Sequence, residues 1–295
     1  MGSSRVPDYC APAYSRENSM VSSFYRRLFF SITTDISLVM FALLFVGFPG
    51  SALAEWYVAG YGGLSMPSKL SDATMNTYGQ RLAFQQFPGA GTIPPQGTLT
   101  QSFNTSDIGL KNSPLFGGKA GYFFKDEGFN WLGVELEAFT SQPTIKSQTL
   151  STSQEVTYLP FNPLPPPPGI NCQFGINCQT QQTTHGTLQL QESSMRLITV
   201  AFNVVARYPG TIFQPYVGVG AGGFYFSSSG QIDGHQVVPG LNTQVGLKVL
   251  ATEEWGLFVE GKYNYATITN LDPSGYGLSG VYSAFNLLAG VAYHF

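Results

Sequence analysis

Glu135 and Glu137 sit two residues apart in an otherwise apolar run, and Glu260 and Lys262 repeat that spacing further along the chain. Lys119 and Lys248 interrupt two more runs of the same kind. A spacing of two keeps side chains on one face of a strand. If Val134, Leu136 and Ala138 form one face, Glu135 and Glu137 lie on the other. The same phase gathers Lys119, Lys248, Glu260 and Lys262 with them, whereas a slip of one residue would turn the whole set outward. Three acids and three bases on a shared interior face have two uses. They can line a polar or ion-gating path, or they can pair as a structural network, because an unpaired charge in a poorly hydrated interior is costly.

Cys172 and Cys178 carry the second candidate chemistry. Each closes a copy of the same four residues, Gly169-Ile170-Asn171-Cys172 and Gly175-Ile176-Asn177-Cys178, just after Pro163 and Pro165 to Pro168. Two thiols without a nearby Cys or His pair make a poor zinc site. In an oxidising compartment the natural product is a disulfide closing a small ring, worth about 2–3 kcal/mol at most. The three histidines, His185, His235 and His294, fall in separate segments, and no Ser-x-x-Lys, Gly-x-Ser-x-Gly or His-Glu-x-x-His occurs. The chain is therefore expected to be non-enzymatic, with no metal and no cofactor.

These side chains need elements to hold them. Charged residues make up 11% of the chain, against about 25% in soluble domains. Aromatic residues make up 14%, and there are 34 glycines. After position 54 no apolar run reaches the length of a membrane helix. Eight strands are expected: Glu55–Leu64, Leu115–Phe124, Asn130–Phe139, Leu188–Arg207, Gln214–Phe226, Thr243–Leu250, Gly256–Thr267 and Ser283–Phe295. Most are close to the 9–11 residues that a tilted spanning strand needs. Short connections at Lys125–Phe129, Tyr208–Phe213 and Ala251–Trp255 alternate with long loops near 65–114, 140–187, 227–242 and 268–282. That alternation predicts an all-β, eight-stranded antiparallel transmembrane barrel, a meander with both ends on the short-turn side. A hairpin near Thr98–Phe103 would raise the count to ten. A soluble β-sandwich would explain neither the alternating loop lengths nor the export signal. Trp56, Trp131 and Trp255 fall near the short-turn ends, with Tyr263, Tyr265, Tyr293 and Phe295 as further interfacial aromatics. A formal charge of −3 gives no reason to expect a nucleic-acid partner.

The first 54 residues read as a separate unit. Arg26 and Arg27 precede an apolar core at Ile36–Phe48, Pro49 and Gly50 break it, and Ala52-Leu53-Ala54 fits a small-x-small cleavage site. A signal peptide over 1–54 is expected, cleaved after Ala54, with Met20 as an alternative start. Residues 55–295 then form the barrel domain.

The final strand, SAFNLLAGVAYHF, places Phe285, Leu287, Ala289, Val291, Tyr293 and Phe295 on one face. Gln214 to Gly222 (QPYVGVGAG), Leu241 to Gly246 (LNTQVG) and Gly256 to Tyr263 (GLFVEGKY) precede it. Together these segments resemble the OmpA-like or opacity-type outer-membrane protein β-barrel domain family. The resemblance implies a monomeric eight-stranded barrel in the bacterial outer membrane, surrounded by outer-membrane lipid and lipopolysaccharide. It also implies recognition by the barrel assembly machinery through Val291, Tyr293 and Phe295. The expected role is structural or surface-interacting through long outer loops, with a small pore or lateral conduit for ions or apolar molecules as the alternative.

Overall fold

The computed structural model describes residues 55–92, 97–125, 128–161 and 179–295. Ala52, Ala54, Cys172 and Cys178, and with them the cleavage site and the disulfide, lie outside these residues. Fourteen strands are numbered along the chain. The first seven are β1 Glu55–Pro67, β2 Ser71–Met75, β3 Gly97–Thr105, β4 Leu110–Lys111, β5 Ser113–Phe124, β6 Phe129–Ser141 and β7 Thr144–Ile145. The rest are β8 Gln148–Pro160, β9 Thr180–Leu190, β10 Ser193–Arg207, β11 Phe213–Ser229, β12 Gly234–Leu250, β13 Trp255–Leu271 and β14 Leu278–His294. Among the described residues one α-helix, α1, spans Asn76–Gln86.

Eight of the strands close into a barrel. β1, β5, β6, β10, β11, β12, β13 and β14 pair in that order, all antiparallel. β14 then returns to β1 in an unbroken register from Tyr57↔His294 to Pro67↔Ala284, so the barrel has no open edge. Polarity is inverted relative to a soluble protein. Leu136 is 57% exposed and Leu287 55%, while their neighbours Glu135 and Asn286 are 1% and 0% exposed. Leu64, Phe116, Val200, Phe202, Val219, Val245, Val259 and Phe285 continue the outward apolar band, the surface a hydrocarbon environment requires. Trp56, Trp131 and Trp255 are half-exposed at the short-turn end, and Trp255 packs against Tyr293 with ring centroids 4.9 Å apart and the planes tilted.

The structure corrects the loops and some of the strands. The segments 227–242 and 268–282 are mostly strand, because β11 to β14 run on to tight turns at 230–233 and 272–277. Strand pairing needs only backbone partners, so Ser227, Ser228 and Gln236 continue the ladder despite their polarity. Gly230 makes the first turn possible. Its φ of +128° suits glycine, and a Cβ there would press against Ser193. The expected strand Leu188–Arg207 is two strands, interrupted at Gln191 and Glu192. Thr98–Phe103 does form a strand, β3, but it pairs with β8 outside the barrel, and the barrel count stays at eight.

The two longest connections fold as well. β6 and β10 pair from Leu132↔Ala206 to Ser141↔Leu197. The same register continues through Ile145↔Ser193 and on from Gln148↔Leu190 to Tyr158↔Thr180. One hairpin thus runs out of the barrel wall with no slip. β3 pairs along the other side of β8, and β2 joins β3 to the far end of β14. α1 packs on this sheet through Ala83, and Phe87 just after the helix joins it against Val156 and Tyr158. Gln154 donates to the Gly79 carbonyl at 2.8 Å.

Inside the far half of the barrel the lumen is filled. Met195, Leu197, Phe224, Phe226, Val238, Ile268 and Tyr282 point inward and join Leu70, Met75, Phe103 and Ile108 of the extension in one buried apolar cluster. Phe226 is fully buried, edge-to-face with Tyr282 at 5.2 Å. Removing so large a buried ring leaves a cavity that packed neighbours cannot fill. Phe226→Ala is expected to destabilise the barrel by about 3–5 kcal/mol in urea unfolding from lipid vesicles.

Candidate functional site in the barrel lumen

The near half of the lumen is charged. Glu135 and Glu137 come from β6, Lys119 from β5, Glu260 and Lys262 from β13, each alternating with an outward apolar residue. All five are at least nine-tenths buried. They form a chain of alternating sign. Glu135 lies 3.3 Å from Lys119, Lys119 2.6 Å from Glu260, Glu260 3.2 Å from Lys262, and Lys262 reaches Glu137. The Glu260–Lys262 approach is an ion pair without hydrogen-bond alignment, since that carboxylate oxygen has no hydrogen-bond partner. β6 and β13 stand on opposite sides of the eight-strand ring. The Glu137–Lys262 pair therefore crosses the bore.

Each carboxylate also accepts from a phenol. Tyr57 donates to Glu135 at 2.5 Å, Tyr61 to Glu137, and Tyr216 to Glu260 at 2.6 Å. Asn203 donates to Glu135 at 2.9 Å and to Glu137 at 3.3 Å, and Gln244 donates to Glu135 at 3.1 Å. Two ammonium groups cannot neutralise three carboxylates, and these neutral donors supply the rest of the stabilisation. The glycine run of β11 makes room for them. Gly218, Gly220 and Gly222 line one wall, a Cβ at Gly218 would meet Gln244 at 2.9 Å, and one at Gly220 would overlap Asn203.

A second cluster sits at the short-turn rim. Arg207 grips Glu55 with both terminal nitrogens, one at 2.5 Å, and donates to the Asn130 carbonyl at 3.1 Å. His294 Nδ1 is 3.0 Å from Glu55, and its Nε2 is 3.2 Å from Lys248. An ammonium can only donate, so Nε2 accepts and Nδ1–H donates to Glu55. Lys248 also lies over the Tyr57 ring at 4.3 Å. This corrects the expected pairing of three acids with three bases. Lys248 contacts a histidine rather than an acid, because it lies a layer nearer the rim, where Arg207 occupies Glu55. His294, the last residue of β14, is part of this cluster, whereas His185 and His235 lie in β9 and β12, apart from it.

Sequence reasoning missed Tyr57, Tyr61, Tyr216, Asn203, Gln244, Glu55 and Arg207. The signal was available. Tyr57 and Tyr61 share the parity of Glu55 in β1, and Tyr216 shares that of Gln214 in β11.

A cavity of about 10 Å³ beside Tyr57, Lys119, Glu135, Arg207, Tyr216 and Lys248 has room for about one water. Among the described residues no group of three His, Cys, Asp or Glu could hold a metal ion. The arrangement locks the charges in place by pairing them across the bore. Removing one member of a buried pair strands the other. Lys262→Met alone is expected to cost about 3–5 kcal/mol in urea unfolding, and adding Glu137→Gln should recover much of that loss.

Solved structures similar to the chain include neisserial surface protein A (14% identity, 81% of this chain and 97% of that one, TM-score 0.43). Others are OprG from Pseudomonas aeruginosa (15%, 83% and 98%, 0.40) and the Ail attachment invasion locus protein of Yersinia pestis (11%, 82% and 98%, 0.36). No curated protein matches. A family model described as the outer membrane protein beta-barrel domain matches residues 40–295. With that match over most of its length, the chain belongs to the outer membrane protein beta-barrel domain family and is a protein of the bacterial outer membrane.

Proposed function

We propose that this protein is a non-conducting, non-enzymatic barrel that anchors a folded extension at the cell surface, where it has a structural or surface-interaction role. One observation carries the reading: the lumen is obstructed at two levels. The Glu137–Lys262 pair crosses the near half, and the apolar cluster around Phe224 and Phe226 fills the far half. An ion path would need continuous water, and burying each of these charges without its partner would cost several kcal/mol. The sheet of β2, β3, β8 and β9 with α1 is built from the long connections, which in this class of barrel face outward.

The remaining roles belong to the same reading. Residues 1–54 serve as a signal peptide cut after Ala54, and Cys172 and Cys178 form a disulfide in the outer connection. Val291, Tyr293 and Phe295 present the end of β14 to the assembly machinery. The apolar band contacts lipid and the inner part of lipopolysaccharide around a single barrel.

Planar-bilayer recording of refolded residues 55–295 tests the reading. No channel openings are expected from the wild type, and none from Glu135→Gln/Glu137→Gln, because the apolar cluster stays in place. Steady ion-selective openings in the wild type would overturn it in favour of a small pore.

A further inference from the structure

The β6–β10 hairpin extends further from the barrel than its neighbour. β11 and β12 turn back at 230–233, while the ladder that began as β6 and β10 continues as β8 and β9. β9 therefore loses its second neighbour. Gln231 marks the place, accepting from the Gln191 N–H at 2.5 Å and donating to the Gln189 carbonyl at 3.2 Å. Beyond it, Gln181–Thr187 pairs with β8 on one side and has no strand on the other among the described residues. Thr183 to Thr187 are exposed.

Exposed edges are usually protected by lysines, prolines, bulges or a covering element, because a row of unpaired N–H and C=O groups recruits other strands. The segment QQTTHGT has no lysine, no other formal charge and no proline, and its register against β8 has no bulge. β8 by contrast is covered on both sides, and its sheet is backed by α1.

We infer that the β9 edge pairs with the same edge of a second copy, displayed on a facing membrane. This rests on the outward placement of the extension in the proposed function. Chain direction selects the facing arrangement. β9 runs from the tip of the hairpin towards the barrel, so two copies in one membrane present parallel strands and two copies in opposed membranes present antiparallel ones. Antiparallel pairing is the more stable per residue, and a two-fold axis places one residue opposite itself. For Gln181–Thr187 that residue is Thr184, with Gln181 facing the second copy's Thr187. An edge charge would meet its own twin and repel. This edge carries none, so self-pairing costs no like-charge contact. Seven residues supply on the order of seven backbone hydrogen bonds across the junction.

Lipid vesicles carrying the refolded barrel, with the extension outward as checked by protease digestion, test this by turbidity and by energy transfer between two labelled vesicle populations. Wild-type vesicles are expected to dock with one another and not with protein-free vesicles. Thr184→Lys vesicles should lose docking among themselves, as should Thr184→Glu vesicles. Mixing the two should restore it, which no folding defect would do. The pairing is overturned if wild-type vesicles stay apart, whether another partner or residues 162–178 occupy the edge. It is equally overturned if Thr184→Lys vesicles dock as well as wild type. Conductance reads the non-conducting role separately, so either result stands without the other.

Discussion

A strand edge in hydrocarbon leaves backbone N–H and C=O groups with no water to satisfy them, at a cost of several kcal/mol for each. The β1–β14 ladder removes that cost by joining the two ends of the sheet from Tyr57↔His294 to Pro67↔Ala284. Much else follows from this closure. Eight strands enclose a bore only wide enough for side chains. Every inward residue must then find a partner or pack against a neighbour, and every outward one must be apolar through the depth of the bilayer.

The lumen meets that demand differently at its two ends. At the short-turn end, polar groups come in complementary sets, with acids and ammonium groups in alternation and a tyrosine for each buried carboxylate. The rim adds Arg207, Glu55, His294 and Lys248 in a chain of donors and acceptors. In the far half the contents become apolar, and Phe224, Phe226 and Tyr282 pack with residues of the extension. The two halves need each other. A charged network is stable only where its members are held in register, and the packed far half limits how far the wall can relax around it. The inward glycines of β11 belong to this design, since side chains there would displace Asn203 and Gln244 from the acids they serve.

Outside the bilayer the constraint relaxes. Water can satisfy an open edge, so the sheet no longer has to close. The β6–β10 hairpin therefore continues past its neighbours in the same register and gathers β3, β2 and α1 on one side only. On the other side, Gln181–Thr187 of β9 has β8 as its one strand neighbour among the described residues.

The sequence by itself determined the barrel, its eight strands, its outward apolar face and the inward side of Lys119, Glu135, Glu137, Lys248, Glu260 and Lys262. A side-chain period of two is a local property, and it survives without knowledge of any partner. The tertiary structure alone decided which of these charges meet. Glu137 and Lys262 are 125 residues apart in the chain and touch only because their strands face each other across the bore. The same holds for Arg207 and Glu55, 152 residues apart. It also decided that the long connections fold into sheet, because their strands are ordered by long-range ladders such as Thr98↔Leu159 and Ser153↔His185. Parity along a strand can be read one residue at a time, but stagger around a closed barrel is a property of all eight strands together.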